Sequence, residues 1–145
     1  MVIGIIGESC VGKSTFARLL KEQLGAEVIT GKDYLRLAKN EAVAKALFQE
    51  KLSRGLTGEH IVYVISEKEH LNLLPEGALR VLMTADQDLI VERFASRMGG
   101  NLPGPVRQML ERKHGIFDRE ACTFHIHNSA DMGAVCRKIV EVVSS

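Results

Sequence analysis

A loop near the amino terminus constrains the fold of this chain more than any other feature. Residues 7–15 read G-E-S-C-V-G-K-S-T and match the pattern G-x-x-x-x-G-K-[ST]. This pattern is informative only between a buried strand and a helix, and the sequence predicts both. Residues 1–6 are an apolar, β-branched run, and residues 15–24 carry apolar side chains at helical spacing before Gly25.

The residue types in this loop are those that bind phosphate. Glycines let successive main-chain N–H groups point at one anion, and the following helix adds the positive end of its dipole. We predict that Lys13 reaches the β- and γ-phosphates of a nucleotide and that the Ser14 hydroxyl ligates Mg²⁺. The predicted nucleotide-binding residues of the loop are Gly7, Glu8, Ser9, Cys10, Val11, Gly12, Lys13, Ser14 and Thr15.

Length and composition predict one cytoplasmic domain over residues 1–145. With 46% hydrophobic and 26% charged residues, the chain can bury a full core. The net charge of +1 gives no basic field for a nucleic acid polymer, and no apolar run approaches the ~18–20 residues of a membrane span. The first strand leads directly into the loop, which argues against a signal peptide. The three scattered cysteines fit free thiols in a reducing compartment.

Strand and helix signals alternate along the chain, which predicts a three-layer α/β domain with a parallel sheet. Strands are predicted at residues 1–6, 26–29, 61–65, 78–83 and 123–127. Helices are predicted at residues 15–24, 34–38, 41–52, 86–98, 106–114 and 131–142. Residues 31–33 are predicted to interrupt the chain after the second strand, and residues 99–105, rich in Gly and Pro, to form a mobile connection.

Three further segments resemble the nucleoside monophosphate kinases, closest to cytidylate and adenylate kinases. Residues 79–85 and 89–97 are similar to the fourth strand of that family and to the helix that enters its lid. Residues 74–78, L-P-E-G-A, resemble the L-P-D-A turn of cytidylate kinases. The resemblance implies a P-loop NTPase fold with a five-stranded parallel sheet in the order 2-3-1-4-5. It also implies an acceptor-side region at about residues 31–58 and a short lid at about residues 97–120.

The resemblance implies roles for several cations. Arg93 matches an arginine that packs on the adenine of the phosphate donor, and Arg97 matches one that contacts the transferring phosphates. Arg107, Arg112 and Lys113 fall where the family carries lid cations, and Arg112 is the predicted catalytic one. Physical chemistry agrees, because Arg93 and Arg97 share one helical face and phosphoryl transfer needs clustered positive charge. The alternatives are a solvated helix face for the arginines and a plain surface connection at residues 99–105.

The sequence departs from the family at the carboxylate that supports Mg²⁺. In the family this carboxylate ends the third strand; here the first candidate is Glu67 and the second is Glu69. The alternative is that both belong to a solvated strand end.

The segment that holds the acceptor in the family is short here. It offers Lys32, Asp33, Tyr34, Arg36 and Lys39. We expect Asp33 either to bind an acceptor hydroxyl or act as general base, or only to cap the helix at Tyr34. His125 and His127, two apart on one strand, face the same side and are either metal ligands or ordinary core or rim side chains.

The sequence therefore predicts an ATP-dependent kinase that transfers the γ-phosphoryl group of Mg-ATP to a nucleotide, nucleoside or similar small acceptor. The alternatives are a nucleotide-binding regulatory or degenerate module without turnover, and an NTP hydrolase. The N-K-x-D tetrapeptide that reads guanine in GTPases does not occur. The sequence leaves open whether the protein is a monomer or a homodimer.

Overall fold

Five parallel strands form the centre of the fold in the computed structural model, which describes residues 1–144 apart from the side chains of Tyr34 and Leu35. The strands are β1 Val2–Ile6, β2 Glu27–Thr30, β3 Ile61–Ile65, β4 Leu79–Thr84 and β5 Phe124–His127. Their order in the sheet is β2-β3-β1-β4-β5, as predicted. The central strand β1 pairs with both β3 and β4, so that Ile3 lies opposite Val62 on one side and Leu79 on the other.

Helices cover both faces of the sheet. They are α1 Lys13–Leu24, α2 Gly31–Leu35, α3 Glu41–Gly55, α4 Lys68–Leu71, α5 Gln87–Arg97, α6 Gly104–Lys113 and α7 Met132–Ser144. Within residues 1–144, no helix combines the length and apolar composition needed to cross a bilayer.

The two faces of the sheet bury separate apolar clusters, because side chains alternate along a strand. On one face Ile3 and Ile5 of β1 pack in a cluster with Phe16 of α1 and Ile139 of α7. On the other face Val2 and Ile6 belong to a cluster that contains Phe48 and Leu52 of α3 and Phe117. The predicted three layers are therefore confirmed, and the carboxyl ends of all strands meet at one edge, where α/β folds bind ligands.

Helix α2 begins earlier than predicted. The sequence predicts a break at residues 31–33, but α2 starts at Gly31 directly after β2. The Asp33 carboxylate accepts hydrogen bonds from the main-chain N–H of Thr30 at 2.7 Å and from its hydroxyl at 3.3 Å. This is the return half of a capping box. Asp33 therefore stabilises the start of the helix from its first turn, as the capping alternative expected, but the predicted start of the helix at Tyr34 is wrong, because α2 begins at Gly31.

Two other elements differ from the sequence prediction. The segment after β3, for which a solvated strand end was one of the two alternatives, contains the short helix α4. Its position is supported by the Tyr63 hydroxyl, which donates a 2.9 Å hydrogen bond to the main-chain oxygen of His70. Helix α6 starts at Gly104 with a proline in its first turn, a position where proline lacks only an N–H that the helix would not use. The connection predicted at residues 99–105 therefore ends at Pro103.

Candidate functional site

The loop between β1 and α1 lies at the carboxyl edge of the sheet. The Gly7 N–H donates to the main-chain oxygen of Ile65 at 3.1 Å, which fixes the loop to β3. Gly12 precedes α1 with φ of +100°, a conformation that side chains disfavour. A Cβ atom there would lie 2.8 Å from both Met132 Cε and Ser129 Oγ. The loop therefore needs glycine at this position for its backbone angle and for its close neighbours.

Lys13 is the first residue of α1, and its side chain is only 7% exposed. Its ammonium group donates a hydrogen bond to the main-chain oxygen of Glu8. Burial lowers the pKa of Lys13 from 10.5 to about 8, against the raising effects of Cys10 and Glu8 and with a further lowering by Arg97. At neutral pH the group is still a cation, desolvated and available to an anion that enters the loop.

A cavity of about 310 Å³ opens in front of this loop. The loop and α1 form one part of its lining, and residues at and after the ends of β2 and β3 form another. We call this space the phosphate cavity and the second part of its lining the β2–β3 wall. The lining residues are Ser9, Cys10, Gly12, Lys13, Ser14, Thr30, Gly31, Lys32, Val64, Ser66, Glu67, His70 and Arg97.

The candidate magnesium ligands Ser14 and Glu67 both line the phosphate cavity. Mg²⁺ prefers oxygen ligands and is usually held by one or two protein groups together with substrate phosphates. A hydroxyl and a carboxylate on one cavity fit that preference. Glu69, the second candidate, lines a different cavity of about 600 Å³, with Asn72 and Arg80 among its neighbours.

The two arginines of α5 have different surroundings. Arg97 lines the phosphate cavity. The Arg93 guanidinium instead donates to the main-chain oxygen of Cys10 at 2.9 Å and to Ser129 Oγ at 3.3 Å. Arg93 thereby joins α5 to the phosphate loop and to the connection between β5 and α7. The shared helical face predicted from their spacing therefore turns toward the loop.

Cations of the lid region also differ in placement. Arg107 pairs with Glu111 on α6 at 3.4 Å, and Arg112 is exposed and lines neither the phosphate cavity nor its neighbour. Lys113 is exposed as well, but it lines a smaller cavity of about 80 Å³. This cavity adjoins the phosphate cavity, since the same three residues, Ser9, Ser66 and Glu67, line both.

On the β2–β3 wall, Lys32 lines the phosphate cavity, whereas Asp33, the other predicted acceptor residue, is not among its lining residues. Arg36 and Lys39 are exposed on the segment after α2, and the side chain of Tyr34 lies outside the described part of the structure. Sequence reasoning missed Thr30, Ser66 and His70, which line this wall. Thr30 ends β2 and Ser66 directly follows β3, which was the available signal for these two, because such residues meet at the carboxyl edge of a sheet.

His125 and His127 share one side of β5, as predicted, and both approach one hydroxyl. Thr84 Oγ1 lies 2.8 Å from His125 Nε2 and 2.7 Å from His127 Nδ1. His127 Nε2 lies 3.2 Å from Asp86 Oδ1, and a hydrogen bond from Asn128, followed by the His127 contact, lowers the pKa of Asp86. Across the described residues, no three or more His, Cys, Asp or Glu side chains are arranged to hold a metal ion. The histidines are thus accounted for by hydrogen bonds.

The three cysteines are free thiols; Cys10 and Cys136 are buried and Cys122 is exposed. Cys10 has φ of +64°, and its carbonyl group is the acceptor for Arg93. Cys10 therefore connects the loop to α5 through its main chain.

Comparison with known sequences gives one distant relative. No protein-family model matches the chain. A provisionally named adenylate kinase of Thermococcus kodakarensis is 29% identical over 104 residues, which cover 67% of this chain and 56% of that protein. The chain thus spans little more than half the length of the relative that it matches.

Solved structures with the same fold include kinases for several small molecules. A gluconokinase from Sinorhizobium meliloti aligns with a TM-score of 0.65 and 17% identity over 99% of this chain and 91% of its own. Shikimate kinase from Acinetobacter baumannii aligns with a TM-score of 0.64 and 18% identity over 98% and 92%. Deoxyadenosine kinase from M. mycoides aligns with a TM-score of 0.54 and 15% identity over 99% and 98%.

These comparisons confirm the predicted resemblance and the predicted fold. The chain has the α/β fold of the P-loop nucleotide and small-molecule kinases, with its five-stranded parallel sheet in the order 2-3-1-4-5.

Proposed function

We propose that this protein, with its P-loop kinase fold, transfers the γ-phosphoryl group of Mg-ATP to a small acceptor molecule. The observation that carries the proposal is the composition of the phosphate cavity. Lys13 and Arg97 supply positive charge, Ser14 and Glu67 supply oxygen ligands, and all four line one space. Phosphoryl transfer needs little covalent chemistry from a protein beyond positioning and charge neutralisation, and these groups are suited to both.

The roles of the residues follow from their positions. Main-chain N–H groups of residues 7–12 and the start of α1 would hold the β- and γ-phosphates. Bound Mg²⁺ would neutralise part of the phosphate charge, and Ser14 and Glu67 would hold it. Lys13 and Arg97 would stabilise the charge that spreads over the transferring oxygens. Arg93, fixed across the loop, is our candidate for packing on the base of the donor.

The acceptor would bind where the phosphate cavity is walled by the ends of β2 and β3. Thr30, Ser66 and His70 provide hydrogen-bonding groups there, and Lys32 provides positive charge. Such a wall suits a polar acceptor with a free hydroxyl or an anionic group. Nucleotides, nucleosides and other small hydroxylated molecules all meet that description, so the acceptor is best sought with a mixed panel.

A coupled assay of ADP release with and without candidate acceptors tests this proposal. We expect ADP release that depends on one class of acceptor and that is lost in Lys13→Ala. The matched control is Lys21→Ala, which removes an exposed lysine from the same helix. ADP release at the same rate without any acceptor would instead identify an NTP hydrolase.

One observation favours a nucleotide-binding module without turnover. The Asp33 carboxylate accepts hydrogen bonds from Thr30 and does not line the phosphate cavity. Among the described residues that line this cavity, Glu67 is the acidic side chain. A kinase that needs a carboxylate as general base, separate from the carboxylate that holds Mg²⁺, would lack one in this arrangement. Tight binding of Mg-ATP by calorimetry, together with no ADP release for any acceptor, would support this second function and contradict the first.

A further inference from the structure

A carboxylate in a phosphate-binding loop requires an explanation. Glu8 lies inside the loop, one residue after Gly7, and is only 7% exposed. A negative charge buried beside a triphosphate would repel it, and a buried charge is costly unless it is paired and hydrogen-bonded. The side chain of Glu8 therefore has to be directed away from the phosphates and given partners elsewhere.

The structure provides these partners at the far end of the lid region. Glu8 Oε2 accepts a 3.0 Å hydrogen bond from the main-chain N–H of Gly115, and Glu8 Oε1 lies 3.2 Å from His114 Nδ1. The His114 contact is a hydrogen bond when Nδ1 carries the proton. We call this pair of contacts the Glu8 link. It joins the phosphate loop to residues more than a hundred positions later in the chain.

The Glu8 link attaches directly to the end of α6. That helix ends at Lys113, the residue before His114. Lys113 lines the small cavity together with Glu8 and with Ser9 and Glu67, which also border the phosphate cavity. Holding residues 114 and 115 thus fixes the last turn of α6 and the point from which the Lys113 side chain extends.

The two ends of α6 are held very differently. Beyond the carboxyl end, Phe117 is fully buried in the core. Before the amino end, Gly99 and Gly100 have φ of +82° and +93°, and the space around each is open. The carboxyl end of α6, which carries Lys113, is therefore held close to the loop by both the Glu8 link and the buried Phe117.

We propose that Glu8 is a positioning residue for phosphoryl transfer: the Glu8 link fixes the end of α6 so that the Lys113 ammonium group lies beside the transferring phosphate. This proposal rests on the proposed kinase function. It assigns the lid cation to Lys113, whereas the sequence resemblance assigned it to Arg112. The main-chain oxygen of the same residue accepts a hydrogen bond from the Lys13 ammonium group, so Glu8 also contacts this lysine.

Amide hydrogen exchange tests the link without reference to activity. In the wild type the Gly115 N–H is expected to be protected, and in Glu8→Ala it should exchange at least about tenfold faster. Glu8→Gln keeps an oxygen that can accept from Gly115, so protection should largely return. Glu22→Ala, which removes an exposed glutamate from α1, is the matched control. Unchanged exchange of Gly115 in Glu8→Ala would overturn the link, even if the protein had no kinase activity.

Steady-state kinetics test the positioning role. We expect Glu8→Ala to lower kcat about tenfold, with a change of less than about threefold in the KM for ATP. Lys113→Ala should lower kcat to a similar extent, and the double variant should be no slower than Lys113→Ala alone, because both changes remove one interaction. Thermal unfolding of each variant checks that the fold is kept, and Glu8→Gln should rescue kcat.

The outcomes separate the two proposals. If no acceptor of the panel causes the wild type to release ADP, the kinase function fails and the positioning role fails with it. The exchange experiment then decides whether the Glu8 link itself exists. If the wild type is an active kinase and the effects of Glu8→Ala and Lys113→Ala multiply, Glu8 does not act through Lys113 and the positioning role is overturned. A wild-type kcat in Glu8→Ala would have the same consequence.

Discussion

The Arg93 guanidinium donates a 2.9 Å hydrogen bond to the main-chain oxygen of Cys10, which lies 83 positions earlier in the chain. The same guanidinium reaches Ser129 Oγ, whose hydroxyl donates at 3.4 Å to the main-chain oxygen of Val11. One side chain thus connects α5, the phosphate loop and the segment after β5. This connection makes Arg93 part of the support of the loop, whether or not it also packs on a base.

Arg93→Lys is therefore expected to affect stability as well as binding. Lysine retains the charge but lacks the planar fork that contacts two oxygens at once. We expect a loss of about 1–2 kcal/mol in the free energy of unfolding and about a tenfold loss in ATP affinity, measured by urea unfolding and calorimetry. Arg18→Lys, at an exposed position of α1, is the control. A loss of affinity without any loss of stability would contradict the supporting role.

Lys13→Met should stabilise the ligand-free protein while abolishing its function. The folded-state pKa of Lys13 is about 8, below the ordinary value of 10.5. Below pH 8 both the folded and the unfolded chain carry the proton, so the folded state bears the full cost of burying the ammonium group. Between pH 8 and 10.5 the folded protein releases the proton, and this cost disappears as pH rises.

At pH 7 the variant should therefore be more stable than the wild type by at most about 3 kcal/mol, from the pKa difference at 1.36 kcal/mol per unit. Loss of the hydrogen bond to Glu8 offsets part of this gain. Urea unfolding at pH 7 and pH 10 measures the difference, which should shrink at the higher pH. ATP affinity should fall about 100-fold. A variant less stable than the wild type at pH 7 would show that burial does not dominate at this lysine.

Asp33 variants separate helix capping from catalysis. Asp33→Ala removes the acceptor for the Thr30 N–H and should lower the free energy of unfolding by about 1 kcal/mol. Asp33→Asn keeps an oxygen for that hydrogen bond and should recover most of the stability. Any difference in kcat between Asp33→Asn and the wild type then reports the charge alone. A loss of more than about 100-fold in Asp33→Asn would support the general-base hypothesis.

Glu67→Gln tests the assignment of the magnesium ligand. We expect the Mg²⁺ concentration for half-maximal ATP turnover to rise about tenfold, since an amide oxygen is a weaker ligand than a carboxylate. Glu69→Gln is the natural comparison, because Glu69 is two residues away but lines another cavity. A larger effect in Glu69→Gln than in Glu67→Gln would reverse the assignment.

The sequence predicted the elements whose own residues determine them. Local signals identify the strand before Gly7 and the apolar strand at residues 61–65. They also identify the first helix, although the predicted start at residue 15 lies two residues after the observed start at Lys13. Parallel pairing and strand order followed from the alternation of strands and helices and from the family resemblance. These features required no knowledge of which side chains meet in space.

The elements that the sequence misplaced have weak or conflicting local signals, and their positions depend on contacts that the sequence pattern does not show. Glycine has a low helix propensity, so Gly31 does not by itself predict a helix start. The hydrogen bond that the Thr30 N–H donates to the Asp33 carboxylate stabilises the start of α2 there. Helix α4 is four residues long, too short to have a periodic pattern. On α6, Arg112 and Lys113 are neighbours in sequence but point about 100° apart on the helix. Which of the two lines the small cavity depends on the rotation of the helix about its axis, which the sequence pattern left open.

The close approach of the His70 ring to Gly31 limits which side chains positions 31 and 70 can carry. A Cβ atom at position 31 would lie 2.0 Å from His70 Nδ1, so even alanine there requires the imidazole ring to shift from its present position. Substitutions at the two positions are therefore expected to arise together in natural variants. For protein engineering, a smaller residue at position 70 offers a direct route to a larger phosphate cavity.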